Sequence, residues 1–176
     1  MSAFYIIISL LAFKIHKIEA ISSMIIMSGE ATFNPKYIEN FTIYVRNHNL
    51  YVDSYNIRTL RPGFQTHMEF AARPSNASRY HTVFKFTINF CNALSATTLN
   101  IFKRWYLSMM KMGNFMLECP VKPMHYYIHG WSVDKVDKPS ILPPGFYRVT
   151  IHFFYGKLNS KTEDFINRCV LEVYFR

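Results

Sequence analysis

The sequence predicts a mainly β protein, a two-sheet sandwich with one amphipathic helix inserted between strands. Phenylalanine and tyrosine number 16 and 12, and aromatic side chains favour pleated, half-buried surfaces. Short segments of alternating polarity recur between turn residues, which indicates about seven or eight strands rather than alternating strands and helices. The 176 residues suffice for one domain with a substantial core, and no repeat or linker marks a second domain.

The first strands are predicted to form two hairpins. Apolar and polar side chains alternate over residues 41–45, a turn follows at Asn47-His48-Asn49, and extended character resumes over residues 50–57. A second pair of strands covers residues 64–72 and 82–91.

In the strand at residues 82–91, apolar and polar side chains separate by face. Lys85, Thr87 and Asn89 share the polar face. This period of two predicts a sheet with one side buried. The large apolar side chains on the other face are Phe84, Phe86, Ile88 and Phe90.

Residues 95–112 change to a period of three to four, which predicts one amphipathic helix. Thr97 or Thr98 is a candidate N-cap, and Gly113-Asn114 ends the segment as a C-cap would. A methionine-rich stripe is most often core packing, and a ligand-facing lid is the alternative. The apolar positions are Leu99, Phe102, Tyr106, Met109 and Met110.

The remainder of the chain returns to strands. Extended character covers residues 124–131, 147–155 and 170–175. A charged turn at residues 134–139 and a tight break at Pro143-Pro144-Gly145 separate the first two of these strands.

The N-terminus has the pattern of a secretion signal peptide. Residues 4–13 form an apolar run about half as long as the roughly 20 residues that a membrane-spanning helix needs. Ala20 offers a small residue for cleavage, although no basic side chain precedes the run. We therefore expect a signal peptide at residues 1–20 and a single domain at residues 21–176. A buried N-terminal strand or an uncleaved anchor is the alternative.

Two glycosylation sequons fit a secreted, extracellular protein. They are Asn40-Phe41-Thr42 and Asn76-Ala77-Ser78, each with a permitted middle residue. Together with the signal peptide they predict surface glycans at Asn40 and Asn76.

The chain is basic, with a formal charge of +9 that becomes +8 when residues 1–20, which hold two lysines and one glutamate, are removed. Basic residues are scattered without a run of four or more, so the sequence predicts no nucleic-acid partner. We interpret the charge as a solvated basic surface, and a weak attraction to acidic membrane or glycan surfaces is the alternative.

The chain has three cysteines, an odd number for an exported protein. A bond between Cys91 and Cys119 would tie the base of the helical segment and contribute about 3 to 4 kcal/mol on the loop-entropy model. Cys169 would then be an unpaired thiol in the last strand or form an intermolecular bridge. The alternative, three small buried hydrophobic residues in a cytosolic protein, requires that no secretion signal exists.

Several motifs carry a family resemblance, and they are Asn89-Phe90-Cys91, Phe115 with Cys119-Pro120, Tyr126-Tyr127, Leu142-Pro143-Pro144-Gly145-Phe146-Tyr147-Arg148-Val149 and Val170-Leu171-Glu172-Val173-Tyr174-Phe175. Over about residues 35–176, the chain resembles an insect-specific family of small secreted proteins of largely unknown function. That family includes chemosensory proteins of the CheA and CheB type and is placed in the ML lipid-recognition superfamily.

The resemblance implies an immunoglobulin-like sandwich whose two sheets part to admit a lipid or another hydrophobic ligand. It also implies a disulfide between Cys91 and Cys119. Members of the superfamily usually tie an early strand to the last strand, where Cys169 would supply the late half. Residues 40–57 contain no cysteine for that second bridge.

The sequence predicts no enzyme, no metal ion and no cofactor. Gly-x-Ser-x-Gly, His-Glu-x-x-His and phosphate-binding glycine motifs are absent from the sequence. His125 and His129 stand four residues apart, which on a strand is about 13 Å and too far to share a metal ion. The acidic residues interpreted as solvated turn charges are Asp134, Asp137, Glu163 and Asp164.

We predict a secreted, non-enzymatic binding protein that holds a lipid or other hydrophobic small molecule between its sheets, with a role in chemosensory or pheromone perception. Apolar burial at about 25 cal/mol per Å² would drive binding. The side chains predicted to line the interior are Phe84, Phe86, Ile88, Phe90, Phe102, Tyr106, Tyr147, Val149, Ile151 and Phe153.

A solid core is the alternative, because the same side chains can pack against each other and leave no cavity. The chain would then be an extracellular interaction module that modulates a membrane receptor or channel without a bound lipid. The helix and Cys169 would be its contact features.

Overall fold

The computed structural model describes residues 24–74, 77–95, 101–132 and 143–176, with the backbone alone for residues 101–105. Its strands form two antiparallel sheets, one of five strands and one of three. The two-sheet β-sandwich predicted from the sequence is therefore confirmed.

The described strands are β1 (Met24–Phe33), β2 (Ile38–Arg46), β3 (Asn49–Asn56), β4 (Gln65–Arg73), β5 (His81–Asn89), β6 (His125–Trp131), β7 (Gly145–Tyr155) and β8 (Asp164–Phe175). The larger sheet has the order β1-β8-β7-β4-β5, and the smaller sheet has the order β2-β3-β6.

A two-residue turn joins β2 to β3. Asn47 and His48 both have positive φ, at 51° and 62°. Asparagine and histidine are among the residues that tolerate this left-handed conformation best, and two such residues in succession match the twist of the flanking strands. The hairpin predicted at this turn is confirmed.

Cross-strand pairing gives the larger sheet one continuous inner face. Side chains alternate along each strand, so residues in register share a face. One inner row crosses all five strands and consists of Gly29, Leu171, Val149, Phe70 and Phe84.

Strand β1 was not among the strands predicted from the sequence. It pairs with β8 along its length, with a register shift between Ile26 and Ser28. A Cβ atom on Gly29 would lie 2.4 Å from Cγ2 of Ile43 on β2. The two sheets therefore meet closely along the β1 and β2 edge, and only glycine fits there without movement of the neighbour.

The helix predicted over residues 95–112 is described from Ile101 to Met110, and a short helix that was not predicted precedes it. The helices of the described residues are α1 (Phe90–Ser95) and α2 (Ile101–Met110), and residues 96–100 between them lie outside the described residues. The side chain of Asn89 accepts a hydrogen bond from the backbone N–H of Asn92 at 3.0 Å, so Asn89 caps α1. Cys91 therefore lies in a helix rather than at the end of a strand. The predicted caps Thr97 and Thr98 lie outside the described residues.

The glycine predicted as a helix C-cap has a different role. A Cβ atom on Gly113 would lie 1.9 Å from the carbonyl oxygen of Tyr127, and Gly113 forms a β-bridge with Ile128. Gly113 is thus required by close approach of its backbone to β6, not by a left-handed conformation.

Cys91 and Cys119 form a disulfide, with their Cα atoms 5.7 Å apart and a sequence separation of 28. The bond ties α1 to the segment that precedes β6. A loop of this size contributes about 3 to 4 kcal/mol on the loop-entropy model. None of the helices in the described part of the chain is long and apolar enough to cross a membrane.

Candidate ligand-binding interior

The structure places most of the predicted interior residues on one face of the larger sheet. Strand β4 pairs with both β5 and β7, and its residues Met68 and Phe70 stand between the two predicted groups. The predicted residues on this inner face are Phe84, Phe86 and Ile88 of β5 and Tyr147, Val149, Ile151 and Phe153 of β7.

Burial across this face decreases toward β5. In one row Phe70 is fully buried, whereas Phe84 beyond it is partly exposed. In the next row Cys169 is buried, whereas Ile151 and Phe86 are partly exposed. The inner face is therefore closed at β8 and partly accessible at β5.

At the accessible β5 edge of the larger sheet, aromatic rings stack on one another. The rings of Phe70 and Phe84 lie 4.4 Å apart at an interplanar angle of 20°. The rings of Phe84 and Phe86 are nearly parallel, with centroids 6.3 Å apart. Stacked rings of this kind present a flat apolar wall to any molecule that lies against them.

Phe90 and Tyr106 lie where the helices meet the interior. Phe90 is buried in α1, and its ring meets the edge of Tyr106 at 5.8 Å. The Tyr106 hydroxyl donates a hydrogen bond to the carbonyl oxygen of Met116 at 2.5 Å. Burial raises the pKa of Tyr106, so its hydroxyl stays protonated. Phe102 falls in α2, but its side chain lies outside the described residues.

The structure adds one aromatic residue, Phe64, that sequence reasoning missed. Phe64 is fully buried and stacks on Phe90 at 5.1 Å. It also approaches Phe153 at 6.4 Å and Tyr155 at 6.1 Å. Phe64 directly follows the Pro62-Gly63 turn and does not belong to a segment of alternating apolar and polar residues. The polarity pattern therefore did not predict its burial.

Polar side chains are also buried between the sheets. Asn167, Asn56 and Thr66 are each at most 3% exposed. Neither amide atom of Asn167 has a hydrogen-bond partner within the described structure, and neither has Nδ2 of Asn56 or Oγ1 of Thr66. A buried polar group without a hydrogen bond destabilises the fold by about 1 to 3 kcal/mol. A bound water molecule or a polar atom of a ligand would supply the missing hydrogen bond at each of these atoms.

His125 and His129, for which the sequence predicted no metal site, both contact the carboxylate of Asp53. Their Nε2 atoms lie 3.0 and 3.1 Å from Oδ1 of Asp53, on the outer face of the smaller sheet. The predicted spacing of about 13 Å separates the backbones of His125 and His129, and their side chains converge on Asp53 across that distance. Among the described residues, no group of three or more acidic, histidine or cysteine side chains is arranged to hold a metal ion.

Cys169 is an unpaired thiol, and it is 8% exposed on the inner face of β8. Burial raises its pKa to about 12. The proposal that Cys169 is a contact feature is wrong for this structure, because β8 lies between β1 and β7 and directs the thiol into the core.

Glu163 accepts a hydrogen bond from the backbone N–H of Asn159 and Asp164 is paired, which corrects their interpretation as solvated charges. Oδ2 of Asp164 accepts hydrogen bonds from Nζ of Lys36 and the hydroxyl of Tyr37, both at 2.6 Å. The Lys36 hydrogen bond lowers the pKa of Asp164. Asp134 and Asp137 lie outside the described residues.

Of the two sequons, one is described. Asn40 is exposed on β2, an edge strand of the smaller sheet, and is therefore accessible to a glycan. Asn76 lies outside the described residues.

Two antiparallel sheets, a disulfide at the base of the helical segment and an aromatic inner face define a disulfide-braced β-sandwich. Residues 66–149 match the model of a family described as a protein of unknown function (DUF1091). The match runs from β4 into β7 and contains both disulfide cysteines and the β5 aromatic face. This segment is therefore similar to that family. No curated protein matches the chain.

Proposed function

We propose that this protein is a secreted, non-enzymatic carrier that holds a lipid or another hydrophobic small molecule between its two sheets. The disulfide fits an oxidising compartment outside the cytosol. The signal peptide at residues 1–20, the insect-specific family and a chemosensory role belong to the same proposal.

The partial exposure of the large aromatic side chains Phe84 and Phe86 on the inner face carries this proposal. Large aromatic side chains in a closed core are normally excluded from water, and each one fully buried contributes about 1.5 to 3 kcal/mol. Here the stacked rings leave apolar surface accessible on the inner face of the larger sheet. A hydrophobic guest that covers these rings removes that surface from water.

A substitution in the apolar wall tests the proposal. We expect Phe86→Asp to reduce the affinity for N-phenyl-1-naphthylamine, a neutral fluorescent probe, by about tenfold or more, because a carboxylate in the wall must be desolvated. Probe fluorescence during titration measures the affinity.

Val83→Asp is the matched control, because Val83 is on the same strand and is 50% exposed, so a carboxylate there stays in water. Thermal unfolding shows whether each variant is folded, and Phe86→Ala replaces Phe86→Asp if the latter is not. Equal loss of probe binding in the Val83 and Phe86 variants would contradict an interior site.

The second candidate is an extracellular interaction module for a membrane receptor or channel. The outer face of the smaller sheet favours it, because Tyr44 is 49% exposed and stacks on Tyr51 at 4.8 Å. Exposed aromatic side chains are enriched at protein interfaces. If the wild-type protein binds no apolar probe but Tyr44→Ala abolishes capture of a membrane partner, the module is the better account.

A further inference from the structure

A cationic cleft lies at one end of the sandwich. It has a volume of about 530 Å³. The segment between β1 and β2, the segment after β3, the segment before β6 and the end of β7 form its walls. The residues that line it are Lys36, Tyr37, Ile57, Arg58, Thr59, Arg61, Pro123 and Tyr155.

The charge of this cleft is positive. Lys36, Arg58 and Arg61 line it, and no carboxylate does. Lys36 is paired with Asp164, which lies outside the lining. Arg58 and Arg61 are exposed, and the described structure shows no ion pair for either one. Two guanidinium groups are therefore available to a ligand, and guanidinium groups bind carboxylate and phosphate oxygens well.

Backbone hydrogen bonds hold the walls in place. The N–H of Ile57 donates to the carbonyl of Tyr37 at 2.9 Å. Leu60 and Val121 exchange two backbone hydrogen bonds at 2.8 and 3.0 Å. The segment that carries both arginines is thus fixed to each neighbouring wall, which reduces the ordering cost of binding.

The floor of the cleft leads toward the apolar interior. Tyr155 packs against Tyr37 at 6.1 Å and against Phe64 at 6.1 Å. Phe64 in turn contacts Phe90 and Phe153, two of the predicted interior residues. Phe64 is fully buried, so these packed rings separate the cationic cleft from the space between the sheets. A ligand tail reaches that space only if the partly exposed Tyr155 moves away from Phe64.

We propose that this cleft binds the anionic head group of an amphiphilic ligand, a long-chain carboxylate, whose aliphatic tail extends past Tyr155 into the interior. The inference rests on the proposed carrier function and names the class of ligand. Ile57, which is 43% exposed, and Pro123 add apolar surface at the rim, which suits an amphiphile better than a small hydrated anion.

Ligands that differ in charge and in chain length test the head-group site in the folded protein. The probes are decanoate, decanol and acetate, each measured by displacement of N-phenyl-1-naphthylamine or by calorimetry. We expect decanoate to bind about tenfold more tightly than decanol, since charge-assisted hydrogen bonds are stronger than neutral ones. The double variant R58Q/R61Q should lose that preference and keep its affinity for decanol.

Arg46→Gln is the control, because Arg46 is an exposed arginine at the opposite end of β2 from the cleft. Unchanged decanol binding by R58Q/R61Q shows that the variant is folded. Equal affinity of the wild-type protein for decanoate and decanol overturns the head-group site but leaves the carrier function intact. Acetate binding as tight as decanoate binding overturns the amphiphile in favour of a small-anion site. Binding of neither decanoate nor decanol overturns the carrier and the head-group site together.

Discussion

At the scale of single residues, His152 is a titratable group whose surroundings favour its neutral form. Its side chain is 18% exposed on β7, and the rings of Phe154 and Phe165 meet it edge-on at 5.3 Å. Its Nε2 lies 2.9 Å from Oε1 of Glu163, but this contact lacks hydrogen-bond geometry. Desolvation therefore dominates and lowers the pKa of His152, while Glu163 opposes the shift.

This lowered pKa predicts a pH dependence of stability. A histidine that stays neutral in the folded state contributes full stability above its unfolded pKa, near 6.5, and the stability falls as the pH decreases from there toward the folded pKa. We expect His152→Gln to reduce the slope of unfolding free energy between pH 7.5 and 5.5, measured by urea denaturation. His81→Gln, at an exposed position, is the control. A slope unchanged by His152→Gln contradicts the assignment.

Sequence reasoning identified the apolar residues of the inner face but not its polar residues. The alternation around Phe84 and Phe86 predicts one buried side without any tertiary information. Asn167 and Asn56 cannot be found in this way, because a polar residue at an inward position looks the same in sequence as one that faces solvent.

At the scale of elements, the disulfide joins α1, which follows β5 of the larger sheet, to the segment that leads into β6 of the smaller sheet. Cys91 follows β5 directly and sits in α1, while Cys119 precedes β6 of the other sheet. The hydrogen bond from Nε1 of Trp131 to Oγ of Ser108, at 2.9 Å, further attaches α2 to β6. The disulfide therefore holds the helical segment against the accessible edge of the sandwich.

Removal of this disulfide is expected to destabilise the protein locally as well as globally. We predict that C91A/C119A lowers the free energy of unfolding by roughly 3 kcal/mol. Hydrogen exchange should accelerate first in α1 and α2, and urea denaturation measures the global loss. Cys169→Ala is the control for loss of a sulfur atom without loss of a bond. Unchanged exchange in the helices of C91A/C119A would show that the bond does not hold them.

The elements with regular periodicity were predictable, and the irregular ones were not. β5 and the β2–β3 hairpin follow from alternation and a short turn. β1 was missed because the register shift between Ile26 and Ser28 interrupts its alternation. The start of α1 at Phe90 was not predicted, because its N-cap Asn89 lies within residues whose alternating polarity also fits a strand.

At the scale of the whole molecule, the two edges of the sandwich differ. Gly29 brings β1 against β2 and closes one edge. At the other edge β5 ends the larger sheet, and its inner aromatic side chains remain partly exposed. This asymmetry gives the interior one accessible side, with the cationic cleft at one end of the sandwich.

The sandwich itself could be predicted from strand number and spacing, but its strand order could not. The pairing of β1 with β8 and of β4 with β7 joins segments far apart in sequence, and such pairing depends on long-range packing that local patterns do not encode. The cationic cleft was missed for the same reason, because its lining comes from four separate segments of the chain.

Native mass spectrometry of the protein purified from secretory cells shows whether a ligand is bound between the two sheets. We expect the folded protein to carry a bound lipid or other hydrophobic molecule, which appears as added mass and is recovered by organic extraction. A protein that shows only its own mass, glycans included, and that also fails to take up added lipid would contradict the claim that the two sheets enclose a ligand.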